Sequence, residues 1–275
     1  MKKLSAFLIL SNLFFLNLYP MQQLNLAIKN ENLEEIQNLI SEQPDLLFEY
    51  DEDNNWTPLH LAACHCNKPV IKLLLTLGAH ELINEPDRLG RTPLHLAVEA
   101  WPVSEEFIDE KTIKLLLKHG AKESVNMLDS FKRTPLFYAA RHKSPAIARL
   151  LLNHEGEKTI NQAELQHRMT PLHHAVQWSR VDTIHLLLQK GALEVADTYD
   201  SCMRKPSDMC AGGENYAAIA AEFNYFKGRY ENAPKERLAF FMASHDRTGA
   251  DSPAYVLPIF IFQCISSFIP RVPQD

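Results

Sequence analysis

The chain has 275 residues, 46% of them hydrophobic and 23% charged, a balance that supports a packed core and excludes disorder throughout. Its 28 lysines and arginines stand against 34 acids, and the net charge of −6 disfavours general nucleic-acid binding, which needs clustered cations to displace counterions. Nine glycines are few for a β-sandwich, and five cysteines are too sparse and odd in number for a disulfide scaffold.

In chain order, Met1-Lys2-Lys3 precedes an apolar run from Leu4 to Tyr19, the layout of an export signal and short for a spanning helix. Asn12 and Asn17 interrupt the run, and no small-residue cleavage site precedes Pro20 or Met21. An uncleaved anchor, with membrane contact through this segment, or a buried helix is the alternative. The boundaries that follow are 1–20 for this segment, 21–232 for a repeat domain and 233–275 for an apolar helical tail.

The repeat domain is defined by self-similarity. Thr57-Pro58-Leu59-His60-Leu61-Ala62 recurs as Thr92-Pro93-Leu94-His95-Leu96-Ala97, as Thr134-Pro135-Leu136-Phe137-Tyr138-Ala139 and as Thr170-Pro171-Leu172-His173-His174-Ala175. Each hexapeptide is a helix start. The threonine oxygen accepts from an orphan first-turn N–H, the proline lacks the N–H that would go unpaired, and Leu and Ala share one face. A leucine triplet follows each: Leu73-Leu74-Leu75, Leu115-Leu116-Leu117, Leu150-Leu151-Leu152 and Leu186-Leu187-Leu188. Gly78, Gly120, Gly156 and Gly191 come after the triplets, where a left-handed residue ends a second helix.

Weaker copies flank the four. Leu24-Asn25-Leu26-Ala27 with Leu39-Ile40 precedes them, and Lys205-Pro206-Ser207-Asp208-Met209-Cys210 follows, with a second helix through Tyr216, Ile219 and Phe223. The second clear copy is about seven residues longer between its helices, around Glu99 to Ile113, with Trp101 and Phe107 inside. This stretch reads as a solvated loop or as a partner-contacting knob. Cys64-His65-Cys66 with His60 lacks the second ligand pair of a structural zinc site, so these are read as ordinary helix residues.

The hexapeptide, the leucine-rich second helix and the closing Gly resemble the ankyrin repeat over about residues 22–230. Two departures stand out. The family's glycine two residues before Thr survives only as Gly90, with Asn55, Lys132 and Arg168 elsewhere; its glycine between the helices is replaced by Cys66, Trp101, Lys143 and Ser179. The resemblance implies an all-α solenoid of about six helix pairs with short turn fingers, four regular and two divergent. It implies that the repeated histidines are structural, bonding a neighbouring repeat.

It also implies binding of a partner protein through the turn tips and first helices. On stacked pairs the residue before each Thr forms a row of Trp56, Arg91, Arg133 and Met169, with Arg204 in the weak copy. Trp and Arg there combine area with directional bonding. Phe131 and the first-helix ends His65, His142 and Trp178 are expected on the same side, flanked by the acids Glu49, Asp51, Glu52 and Asp53. No nucleophile or carboxylate recurs with the histidines in a triad arrangement, and no phosphate-loop, metalloprotease or hydrolase motif is present. The reading is therefore a non-enzyme without cofactor, metal or small-molecule substrate.

In the tail, Leu257-Pro258-Ile259-Phe260-Ile261 and Ile265 to Ile269 resemble the opening helix of an F-box. That likeness implies an alternative: an adaptor that recruits a host ubiquitin-ligase component. The apolar stretch also suits a helix capping the last repeat. An export signal on ankyrin repeats, which mostly work inside cells, is reconciled by a secreted protein acting within a host cell.

Overall fold

A computed structural model describes residues 20–99, 110–210 and 215–231. The export-signal segment, the knob with Trp101 and Phe107, and the F-box-like stretch lie outside the described residues. Among those described there are eleven α-helices and no strand. None of these helices is long and apolar enough to cross a membrane.

Ten of the helices form five pairs. They are α1 (Pro20–Lys29) with α2 (Leu33–Glu42), α3 (Pro58–Cys64) with α4 (Lys68–Thr76), α5 (Pro93–Glu99) with α6 (Glu110–Lys118), α7 (Pro135–Ala139) with α8 (Ala146–Leu152), and α9 (Pro171–Gln177) with α10 (Val181–Gln189). First helices pack in sequence, α1 on α3, α3 on α5, α5 on α7 and α7 on α9, while α2, α4, α6 and α8 make a second layer. No pair could bury its apolar stripe alone; stacking supplies the core. α11 spans Tyr216–Glu231, and the chain divides into two compact units at Glu222–Phe223, inside that helix.

The helix starts follow the local chemistry. Thr57, Thr134 and Thr170 each accept from the N–H three residues on, at 3.3–3.4 Å. His60 and His173 return a ring nitrogen to the threonine main chain and close a capping box. Leu59, Leu94, Leu136 and Leu172 are fully buried. In the first three triplets only the last two leucines are buried; Leu73, Leu115 and Leu150 are half-exposed, because three consecutive residues spread over about 200° of a helix and overrun its apolar stripe.

Three expectations need correction. The sixth unit opens with a 3-10 turn at Pro206–Cys210 and not an α-helix. Lys205 has no short side-chain oxygen to serve the first turn; only the reverse bond forms, from Lys205 N–H to Asp208 at 3.2 Å. After the second helices, Gly78, Gly120 and Gly191 are left-handed, but in the fourth unit Glu155 takes that conformation (φ 69°) and Gly156 does not. Glu155 lies three residues past its triplet, as the other three glycines do; Gly156 lies four past and serves another need. A Cβ there would sit 2.7 Å from the Leu151 carbonyl oxygen. Finally, His142 is buried, with Nε2 2.7 Å from the Val98 carbonyl of the preceding repeat. α7 stops at Ala139, so His142 falls in the turn behind it and folds inward.

At the fingers, and at two of the positions between helices, the departures from the family's glycines keep a left-handed residue, whereas Lys143 does not and Trp101 lies outside the described residues. Asn55, Gly90, Lys132, Arg168 and Met203 all adopt φ between 56° and 74°. Cys66 and Ser179 do likewise between helices, at 51° and 55°.

Candidate functional site

Between units the chain folds into fingers at 51–56, 87–91, 129–133, 164–169 and 200–204. Each is closed at its base by one main-chain bond: Asp51 to Trp56, Asp87 to Arg91, Asp129 to Arg133, Glu164 to Met169 and Asp200 to Arg204, at 2.8–3.0 Å. The acid that opens each finger also caps it. Asp87 Oδ1 accepts from the N–H groups of Leu89 and Arg91 at 2.9 and 2.8 Å, and Asp129 and Asp200 repeat that pair of bonds. Glu164 takes Gln166 and His167 instead. Successive fingers are stitched by single main-chain bonds, Arg88 to Asn54, Ser130 to Leu89, Leu165 to Phe131 and Ser201 to His167, at 2.8–2.9 Å.

These buried acids decide where the row residues go. Asp87 Oδ2 accepts from Trp56 Nε1 at 2.9 Å across the repeat boundary, and from Arg91 Nε and Nη2 at 3.0 and 2.8 Å. Arg91 extends to Glu99 at 3.1 Å and lies 5.8 Å from the Trp56 ring centre. Arg204 forks onto Asp200 at 3.0 and 2.8 Å. Asp129 holds the Tyr138 hydroxyl at 2.6 Å; burial and then that bond push the phenol well above its ordinary pKa. Arg133 reaches the next finger's Glu164 at 3.7 Å. Met169 is buried. Of the finger acids only Asp51 was named from sequence, in a flanking acidic patch, although each stands five or six residues before the first hexapeptide position, a spacing that marks them.

A second cluster joins Phe131, Arg133 and Trp178 through two residues that sequence reasoning assigned no binding role. The Arg133 guanidinium sits 4.9 Å from the Phe131 ring centre and 5.6 Å from that of Phe137. Phe137 stacks on His174 at 4.4 Å, and Trp178 meets His174 edge-on. His174 Nδ1 lies 2.9 Å from the Phe137 carbonyl, and Trp178 Nε1 donates to Nε2 at 3.2 Å. That pairing requires the proton on Nδ1 and a neutral ring. Burial lowers the His174 pKa to about 4, with help from the Arg141 and Arg133 cations and against the Phe137 carbonyl. Trp178 remains exposed at the end of this stack, Phe131 at its start.

His60 and His95 face inward. Their Nε2 atoms meet the carbonyls of Arg91 and Met127 in the next repeat at 3.2 and 3.1 Å, while Nδ1 accepts from the capping threonines. Cys64 is a buried thiol whose pKa burial pushes up to about 11. No nucleophile–base pair forms among the residues of these two clusters.

A family model of ankyrin repeats in three copies matches residues 24–122 and 104–198, and the chain belongs to the ankyrin-repeat family. It is similar to B-cell lymphoma 3 protein of Homo sapiens, 36% identical over 146 residues that cover 52% of this chain and 30% of that protein. It is similar to target of rapamycin complex 2 subunit AVO2 of Saccharomyces cerevisiae, 37% identical over 81 residues, 29% of this chain and 18% of the relative. Neurogenic locus notch homolog protein 4 of Homo sapiens matches 44 residues at 54% identity, 16% of this chain and 2% of the relative. The chain thus spans less than a third of each of these proteins. Ankyrin repeats make it a protein–protein interaction module.

Proposed function

We propose that the chain acts without catalysis, holding a partner protein against its fingers and first helices. The observation that supports this most is the stack from Phe131 through Arg133, Phe137 and His174 to Trp178. It presents two exposed aromatic rings on side chains that are already ordered, so little rotamer entropy remains to be lost on binding. Arg91 and Arg204, bound to their own acids, serve the site by holding finger shape, with Trp56 tying the first finger to the second. Direct contact falls to Phe131 and Trp178. The yeast relative is, by its name, a subunit of a complex, in keeping with such a role.

The test is quantitative affinity capture with the wild-type chain and with Phe131→Ala/Trp178→Ala. Proteins held by the first and lost by the second, at equal urea midpoints, support the reading; identical capture refutes it. A second reading, the adaptor, rests on the sequence pattern from Leu257 to Ile269; a ligase adaptor that co-precipitates equally with a chain ending at Ser252 sinks it. For export, N-terminal sequencing of the mature protein should begin near Met21, and a start at Met1 refutes cleavage.

A further inference from the structure

We propose that the tips of the second to fifth fingers form one strip that binds an acidic peptide segment bearing apolar side chains, contributed by a partner protein. The proposal rests on the binding-module reading and names the chemistry of what the module holds. Each of these four tips carries one large apolar side chain in the open: Leu89 at 39% exposure, Phe131 at 37%, Leu165 at 59% and Met203 at 73%. Isolated exposed apolar residues are ordinary, but four on successive fingers are a patch. The fingers are tied by main-chain hydrogen bonds, which hold neighbouring segments about 4.8 Å apart, and each finger is two segments wide. Successive tips therefore recur at roughly 10 Å, and the strip spans roughly nine extended residues of a bound chain.

Charge gives the strip its sign. Beside the apolar residues stand Arg88, Lys132 and Arg168, all exposed. Arg88 donates to the Glu52 main-chain carbonyl at 3.0 Å, and among the described residues none of the three forms an ion pair. No exposed carboxylate occurs at 88–90, 130–132, 165–168 or 201–203. The acids of these fingers, Asp87, Asp129, Glu164 and Asp200, are buried and taken up by N–H groups, a phenol and guanidiniums. On a chain with a net charge of −6, this is a local reversal of sign. The first finger has the opposite character, exposing Glu52 and Asp53. A uniform polyanion running along all five tips would meet repulsion there, whereas a peptide with acids at one end and neutral or basic residues at the other is held in one direction. Phosphate backbones and lipid headgroups, moreover, offer nothing to four apolar tips.

The test is selection of phage-displayed random 16-residue peptides on the full chain. The selected peptides are then measured by fluorescence anisotropy against wild type, Arg88→Glu/Lys132→Glu/Arg168→Glu and Phe131→Ser/Leu165→Ser. All five positions are exposed, and urea midpoints check that the variants fold. The expected result is enrichment of net-negative peptides with at least two aliphatic or aromatic residues, whose affinity falls at least tenfold in each variant. Neutral or basic winners, affinities unchanged within threefold, or no enrichment overturn the proposal. Basic winners lost in Phe131→Ser/Leu165→Ser would overturn the acidic partner and leave the binding-module reading standing. Phosphatidylserine vesicles bound by wild type, released by the charge-reversed variant and unmatched by any peptide would assign the strip to a membrane surface instead.

Discussion

His60, His95 and His174 have both ring nitrogens engaged inside the array, and burial holds each near pKa 4, against about 6.5 for an ordinary histidine. In the folded chain they stay neutral while the unfolded chain takes up protons from pH 6.5 downward. Stability is thus fully present above pH 6.5 and is lost as the pH falls towards 4, on the order of 2–3 kcal/mol for each ring. Urea midpoints should drop steeply between pH 6.5 and 4.5, and the drop should shrink in His174→Gln; a flat profile would mean that the rings are not held neutral. At the same scale, Glu155 and Gly156 make opposite predictions. Glu155→Gly removes left-handed strain at a residue with φ 69° and should stabilise by up to about 1 kcal/mol. Gly156→Ala forces a Cβ against the Leu151 carbonyl and should cost about 1–3 kcal/mol, measured by the same unfolding curves.

For single elements, most of the helix-level organisation was legible. The Thr-Pro pair of each hexapeptide acts over three residues, and the caps form where the spelling puts them. Thr134→Ala should cost about 1 kcal/mol, and more at Thr57 and Thr170, where the contact of the hydroxyl with the histidine Nδ1, at 2.8 and 2.9 Å, is lost as well. Leu151→Ala, at a fully buried position of α8, should cost about 2–5 kcal/mol; a loss below about 0.5 kcal/mol would contradict its place in the core. The sixth unit was less legible because its spelling keeps Pro206 and loses the threonine, and a 3-10 turn forms in place of a helix. The short 3-10 turns that follow each second helix, such as Ala79–Leu82 and Ala192–Val195, carry no apolar period and went unread.

Across the whole array, stability is a chain of neighbour contacts, since each helix pair packs on the next. An end unit has one neighbour and an inner unit two. Leu24→Ala in α1 should therefore raise amide exchange mainly in α1 and α2. Leu116→Ala in α6 should raise it through the repeats on both sides. Equal spread of exchange from both sites would show that the array unfolds as one block.

Sequence by itself determined the repeat register, the helix starts and the buried leucines, because caps and apolar stripes act over three or four residues of the same chain. It also placed Phe131 and Trp178 on exposed positions. What only the tertiary structure decided is where the row residues and the first-helix end His142 go. Trp56 finds Asp87 31 residues away and Arg133 finds Glu164 on the next finger, while Met169 and His142 turn inward. A guanidinium reads the same in sequence whether it faces solvent or a buried carboxylate. Stacking brings the carboxylate to it, and Arg91 and Arg133 are ion-paired within the fingers.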